Sequence, residues 1–320
     1  IGVRGGHGTT TVALVAAVLL LSTRWVSPAR GEVTAKRSAG GVLIEVDGQP
    51  FTEYLTLSGA KPILWPVYGP TGKPMTRAYP MGEAPNETKD HVHQRSLWFT
   101  HGDVNGVNFW DETAKHGMIL HRRFVEVKGG KEAVVVAEDD WVGPDKKNVL
   151  ADQRRLTFGV QPDVRWIDFD ITLKASYGPV KFGDTKEGTF GVRMAETMRV
   201  DSKEGGQIVN SQGQTDKAAW GRKAAWVDYH GPVAGQTVGI AIMNHPDSFR
   251  FPTCWHVRTY GLFAANPFGL KEFPDGNHQD GSYTLAEGQA MVLRYRVWLH
   301  KGDEKHGRVA EAYASYAKQK

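Results

Sequence analysis

The chain has 320 residues, a formal charge of +4 at neutral pH and a single cysteine, Cys254. That length can bury a large core, and one cysteine excludes a disulfide-built scaffold. Residues 1–31 hold Arg4, Arg24 and Arg30 and no acid, so without them the charge falls to +1, and the basicity makes no case for a nucleic-acid partner.

Arg4 opens a basic stretch, and Val12–Leu21 is an uncharged apolar run. The run is too short to span a bilayer comfortably but fits the core of a secretory signal. Ser27-Pro28-Ala29 or Ala29-Arg30-Gly31 offers a small-residue cleavage site. The expectation is a leader over 1–31, with an uncleaved anchor as the alternative, and an exported protein, periplasmic or extracellular. The rest, 32–320, reads as one domain with no further membrane-spanning stretch.

Strand signals dominate that domain. Gly41–Leu57 sets Asp47-Gly48 between two β-rich runs, which predicts a hairpin. Strands are expected near 121–128, 132–142 and 154–160. Trp166–Ala175 alternates Ile167, Phe169, Ile171 and Leu173 against Asp168, Asp170, Thr172 and Lys174. Further strands are expected near 189–200, 224–229, 237–243, 255–264 and 282–286. Leu293–His300 alternates Leu293, Tyr295, Val297 and Leu299 against Arg294, Arg296, Trp298 and His300. A period of two means sheets with one face on a core. Helical spacing arises only at 303–318, through Val309, Tyr313 and Tyr316, with Asp303 as N-cap. The fold class is therefore all-β: an antiparallel β-sandwich with a short C-terminal helix.

Chemistry concentrates in Asp90–Glu112, DHVHQRSLWFTHGDVNGVNFWDE. If His91–Leu97 is extended, His91, His93 and Arg95 share one side and Val92, Gln94, Ser96 and Trp98 the other. Asp103, Asn105, Gly106 and Asn108 then form a turn before Trp110 and Asp111. A second stretch, CWHVRTYGLFAANPFG, puts His256, Arg258 and Tyr260 opposite Trp255, Val257 and Thr259. Two such strands would make a polar wall for an anionic or polyhydroxylated ligand. Arginine supplies forked donors, histidine transfers protons near neutrality, and tryptophan stacks on ring faces. A solvated outer sheet face fits the same alternation. Glu196 shares parity with Phe190, Val192, Met194, Met198 and Val200, which would desolvate its carboxyl and raise its pKa; Arg193 and Arg199 fall opposite.

The expected proton-transfer groups are His91, His93, His256 and Glu196. Arg95, Trp98, His101, Asn105, Trp110, Asp111, Arg193, Arg258 and Tyr260 are the expected substrate-binding groups. His91, His93 and His101, with Asp90, Asp103 and Asp111 nearby, could hold a divalent metal as cofactor. The chain has no GxGxxG after a strand, no GxxxxGK[ST] and no GxSxG, so dinucleotide, P-loop and serine-hydrolase chemistry lack support.

DHVHQRSLWFTHGDVNGVNFW, KEGTFGVRMAE, AWGRKAAWVDYHG, VGIAIMNHP and WHVRTYGLFAANPFG, in that order, resemble the bacterial family labelled "methane oxygenase PmoA", from about Gly41 to His300. Members often carry consecutive histidines where this chain has His93-Gln94. The resemblance implies a galactose-mutarotase-like supersandwich, a fold whose members often handle sugars with His and Glu or Asp on a concave sheet. The label itself implies a metal-dependent oxygenase. Three readings result: an exported carbohydrate-active enzyme (hydrolase, lyase or epimerase) on a glycan or small-molecule substrate, a non-catalytic carbohydrate-binding module, and an oxygenase.

Overall fold

The computed structural model describes residues 1–6, 8 and 31–320, so most of the expected leader, including the run Val12–Leu21, lies outside the described residues. Eighteen strands are present among them. They are β1 (Val33–Arg37), β2 (Gly41–Val46), β3 (Gln49–Ser58), β4 (Lys61–Leu64), β5 (Leu97–His101) and β6 (Met118–Lys128). Next come β7 (Ala133–Val142), β8 (Asn148–Gln161), β9 (Val164–Lys174), β10 (Val180–Phe182), β11 (Gly188–Arg193) and β12 (Gln207–Asn210). The last are β13 (Trp226–Val233), β14 (Gln236–Asn244), β15 (Cys254–Val257), β16 (Leu262–Asn266), β17 (Tyr283–Leu285) and β18 (Ala290–Lys301), followed by helix α1 (Val309–Tyr316). No helix among the described residues is long and apolar enough to cross a membrane.

The strands form two eight-stranded sheets and a small ribbon. Sheet one runs β1-β2-β3-β4-β5-β11-β16-β15, and sheet two runs β12-β13-β14-β18-β9-β8-β7-β6, while β10 pairs with β17. The named strand pairs are antiparallel. The fold is the antiparallel β-sandwich with a short C-terminal helix that the alternation predicts. Ile167, Phe169, Ile171 and Leu173 of β9 and Leu293, Tyr295, Val297 and Leu299 of β18 enter one core cluster with Leu97, Phe99, Phe190 and Val192 of sheet one. Ring pairs cross between the sheets: Phe99 on Phe169 at 6.2 Å and Phe190 on Tyr295 at 4.9 Å. The predicted hairpin is present as β2–β3, its turn made by Asp47 at φ 50° and Gly48 at φ 75°. Those positive angles give the turn a twist that matches paired strands.

Four local expectations change. His91–Leu97 is not extended: His91 (φ 41°) and Ser96 (φ 55°) are left-handed, and the strand starts at Leu97. The strand expected over 189–200 stops at Arg193, after which Glu196–Met198 and Val200–Ser202 are single 3-10 turns. The strand expected over 255–264 is two strands around a turn, closed by Gly261 N–H to Arg258 O at 3.0 Å with Gly261 at φ 98°. The C-terminal helix is shorter than 303–318, because Asp303 caps a separate turn, accepting from His306 N–H at 2.8 Å, and Arg308 is left-handed. Helix α1 covers the outer face of sheet two through Val309 and Tyr316, which pack on Trp166, Met243 and Trp298.

Candidate functional site

Among the described residues, several of the expected groups meet on the outer face of sheet one. Its centre is a row across five strands: Ile63, Trp98, Gly191, Ala264 and His256 are successive register partners. Trp98 crosses Gly191 so closely that a Cβ there would lie 2.7 Å from Cζ2. Glycine at 191 gives the Trp98 ring room to lie across β11, and the small side chain of Ala264 separates that ring from the His256 imidazole. Trp110 packs on Trp98 at 5.3 Å, and Leu262 and Ala264 join them in a separate apolar cluster bordered by Tyr260. Trp98 and Trp110 are at most 1% exposed, so they are floor rather than the stacking platforms the sequence suggests. The half-buried rings are Trp220 and Tyr260, and the Arg258 guanidinium lies 5.7 Å from each.

The alternation of β15 is as the sequence implies: Trp255 and Val257 enter the core, and His256 faces outward. The His256 Nδ1 faces Lys186 O at 2.8 Å, which fixes the proton on Nδ1 and leaves Nε2 as an acceptor. Burial, aided by Arg258 and opposed by that carbonyl, lowers its pKa to about 4. The imidazole is therefore neutral at ordinary pH.

The loop 88–94 brings His91 and His93 over the same face, and two buried arginines hold it. Arg77 donates to Asp90 Oδ1 at 2.5 Å, Thr88 O at 3.2 Å, His91 O at 3.0 Å and Gln94 O at 3.2 Å. Arg193 donates to Asp90 Oδ1 at 2.8 Å and to Gln94 Oε1 at 2.5 Å. Gln94 thus lies beneath the loop, 1% exposed, and not on the face. Arg193 is likewise buried and spoken for, so it positions the loop instead of binding substrate. His91 stacks on Tyr260 at 5.4 Å with 8° between planes, its Nδ1 2.9 Å from Asp90 Oδ2. His93 Nε2 is 3.4 Å from Asp111 Oδ1, and burial, only partly opposed by Asp111, lowers its pKa to about 4.

Other expected residues lie elsewhere. Glu196 opens a 3-10 turn instead of continuing β11, and its carboxylate accepts from Thr88 N–H at 3.2 Å, Thr88 Oγ1 at 2.7 Å and Arg199. It braces the 88–94 loop from outside the shared face. His101 shares parity with Leu97 and Phe99, so it enters the core against Phe268 at 4.8 Å, with Nε2 facing Gly183 O at 2.8 Å. The trio His91, His93 and His101 is split by the sheet itself and cannot share one metal. Asn105 is a turn residue bonded to Lys181 N–H at 2.7 Å and Pro179 O at 3.2 Å.

Arg95 is a structural cation. It makes a forked pair with Glu112, Nε–Oε1 2.8 Å and Nη2–Oε2 2.6 Å, and the fully buried Lys61 adds 3.0 Å to Oε1. Burial alone would raise the Glu112 carboxyl, but Arg95 and Lys61 outweigh it and hold the pKa at about 2. A carboxyl depressed in the folded state stabilises fully above its unfolded value near 4.5 and loses that contribution as pH falls through about 2. Glu112→Gln is expected to cost about 3 kcal/mol at pH 7, by leaving two cations short of a partner. Its urea midpoint should then fall less than that of the wild type between pH 5 and 2.5, a difference that parallel denaturation curves would show.

One acid that the sequence reading passed over belongs here. Glu187 precedes β11, its carbonyl accepting from Gly102 N–H at 2.7 Å, and it adjoins Lys186, whose carbonyl anchors His256. Burial, reinforced by the charge of Asp111 and partly offset by Lys186, raises its carboxyl pKa. Its charge also acts on the Tyr260 hydroxyl. The side chain is one-third exposed, and its nearest cation, Lys186 Nζ, stands 3.6 Å away. The face thus joins a carboxyl with a raised pKa, a neutral imidazole, a second carboxyl group at Asp111 and a guanidinium between two aromatic rings.

Residues 41–314 match a profile described as a family of unknown function, DUF6807. The chain belongs to that family. No curated protein matches the DUF6807 chain by sequence. Among solved structures, it is similar to a beta-arabinopyranosidase at 12% identity and TM-score 0.32, covering 86% of this chain and 39% of that one. It is similar to an alpha-galactosidase of Lactobacillus brevis at 10% identity and TM-score 0.33, covering 89% and 41%. A galactose mutarotase related enzyme of Lactobacillus acidophilus is 10% identical at TM-score 0.32, covering 85% and 95%. The chain therefore spans about two-fifths of the two glycosidases' length.

Proposed function

We propose that this DUF6807 protein is a carbohydrate-active enzyme, a hydrolase, lyase or epimerase, with Glu187 as general acid and His256 as general base. The observation that carries this reading is the opposite displacement of two groups anchored on adjacent residues: burial and Asp111 raise the Glu187 carboxyl against the pull of Lys186, and burial lowers the His256 imidazole to about 4. Groups pushed apart in this way divide acid and base roles at one pH. Trp220 and Tyr260 would take the apolar face of a sugar ring, and Arg258, whose guanidinium makes no hydrogen bond among the described residues, would take a hydroxyl or carboxylate. Asp111 and His93 would complete the wall beside Glu187. The apolar run Val12–Leu21 favours action on glycans outside the cytoplasm. An oxygenase would instead need a metal beside the substrate, and His91, His93 and His101 do not converge on one.

The test is product formation from a panel of glycosides, uronic-acid polymers and reducing sugars by the wild type and His256→Ala. The expected result is a substrate whose turnover falls about 100-fold or more in the variant. Binding of a glycan by calorimetry with no product from any panel member would favour the non-catalytic module. On the true substrate, kcat should rise as pH climbs through about 4, where His256 loses its proton, and decline again as Glu187 ionises above the ordinary carboxyl value. A rate that keeps climbing from pH 5 to 8 would contradict the assignment of Glu187 as the acid.

A further inference from the structure

The outer face of sheet two carries a second convergent cluster, unrelated to the proposed active site. Asp228 and His230 lie two apart on β13 and project to the same side. Across the sheet, His230, Gly239 and His300 are register partners. A Cβ at Gly239 would stand 2.3 Å from His300 Cε1 and 3.1 Å from Asp228 Oδ2, so glycine is what lets the His300 imidazole lean onto Asp228. Gly307 does the same from above, where a Cβ would stand 2.1 Å from His300 Nδ1. The turn that Gly307 ends supplies Glu304. One ligand atom each from Asp228, His230 and Glu304 lies within 4.8 Å of the others.

We propose that Asp228, His230 and Glu304 form a divalent-cation site for zinc or a neighbouring first-row metal, with His300 orienting Asp228. The donors are one imidazole nitrogen and two carboxylates, a set that suits a borderline cation. Two ligands at about 2.0–2.1 Å from one tetrahedral metal stand about 3.3 Å apart. His230 Nδ1 is 2.7 Å from Asp228 Oδ1 and 3.9 Å from Glu304 Oε2, so these two spacings fall about half an ångström on either side of that value. His300 Nε2 holds the second Asp228 oxygen at 2.7 Å, and its Nδ1 is 3.1 Å from Lys301 O. This is the outer arrangement that fixes a ligating carboxylate. Asp228 and His300 are fully buried, whereas the Glu304 side chain keeps 16% exposure, so the open coordination position and the entry path lie on the Glu304 side. A hydrogen-bonded Asp228–His230 pair alone would give Glu304 no role. A bound cation would fasten the 303–307 turn, and with it the start of α1, to β13.

The test uses the full chain, stripped with a chelator and titrated with zinc chloride by calorimetry. One equivalent should bind, and Glu304→Gln should weaken it by about 10–100-fold. Zinc should raise the melting temperature of the wild type, and that of Glu304→Gln clearly less at the same concentration. Glu304 sits on an exposed turn, so this variant folds even if His230→Gln does not. Cobalt(II) gives a second readout: a visible d–d band in the wild type that needs a higher cobalt concentration to appear in Glu304→Gln. No binding at millimolar zinc, or equal affinity in the wild type and Glu304→Gln, would overturn the site.

Discussion

Glu187→Gln is expected to lower kcat by about 10²–10⁴-fold on the true substrate with little change in KM. The amide keeps the shape of the side chain but cannot give up a proton. No described hydrogen bond ends on the Glu187 carboxylate, and its one ion pair, with Lys186, is 3.6 Å long. The melting temperature should therefore stay within a few degrees of the wild type. A loss that appears in KM with kcat intact would make Glu187 a binding group. Asp111→Asn gives an independent handle: removing the neighbouring charge lets Glu187 ionise at lower pH, so the basic limb of the rate profile should move toward acid.

Arg154→Ala is expected to destabilise the chain by about 3–5 kcal/mol, the largest stability loss of the substitutions considered. Arg154 lies between the sheets, bonded to Asp152 at 3.0 and 2.9 Å and to Asp139 Oδ2 at 3.1 Å. Tyr54 of sheet one donates to Asp139 at 3.2 Å, and Trp141 donates to Asp152 at 2.7 Å, so the cluster joins the two layers. Both carboxylates are at most 1% exposed, and without the guanidinium they face each other across β7 and β8. Burial and the neighbouring Asp139 already raise Asp152 to about 6. Replacing Arg154, Asp139 and Asp152 together by apolar residues of similar volume should recover most of the loss, since a buried ion cluster adds little net stability over good packing. Urea denaturation of the single and triple variants decides this. A triple variant as unstable as Arg154→Ala would mean that the cluster itself holds the sheets together.

The sandwich was legible wherever alternation was long and one face was buried, as in β9 and β18. It failed where the backbone leaves the extended region for reasons local to one or two residues. His91 and Ser96 at positive φ turn the expected strand into a loop, and Gly261 splits another in two. Parity arguments therefore worked for His256 but misplaced Glu196, three residues beyond the last strand residue, and could not show that His101 points into the core. Arg95, Arg193, Trp98 and Trp110 look like ligand groups in sequence because arginine and tryptophan serve both recognition and burial. Only the three-dimensional partners, Glu112, Asp90 with Gln94, and each other, tell the two uses apart. Glu187 carried a faint signal, an acid immediately before a buried strand in KEGTFG. Its proximity to Asp111 depends on two segments more than seventy residues apart in the chain.

The physical claim beneath the functional reading is that Glu187 keeps its proton above the ordinary carboxyl range. Carbon-13 labelling of the glutamate side-chain carboxyls allows each to be titrated by NMR without knowledge of the substrate, and Glu187→Gln assigns the resonance. The midpoint for Glu187 should lie above 4.5 and fall when Asp111 is replaced by asparagine. A midpoint at or below 4.5, indifferent to Asp111, would contradict the account.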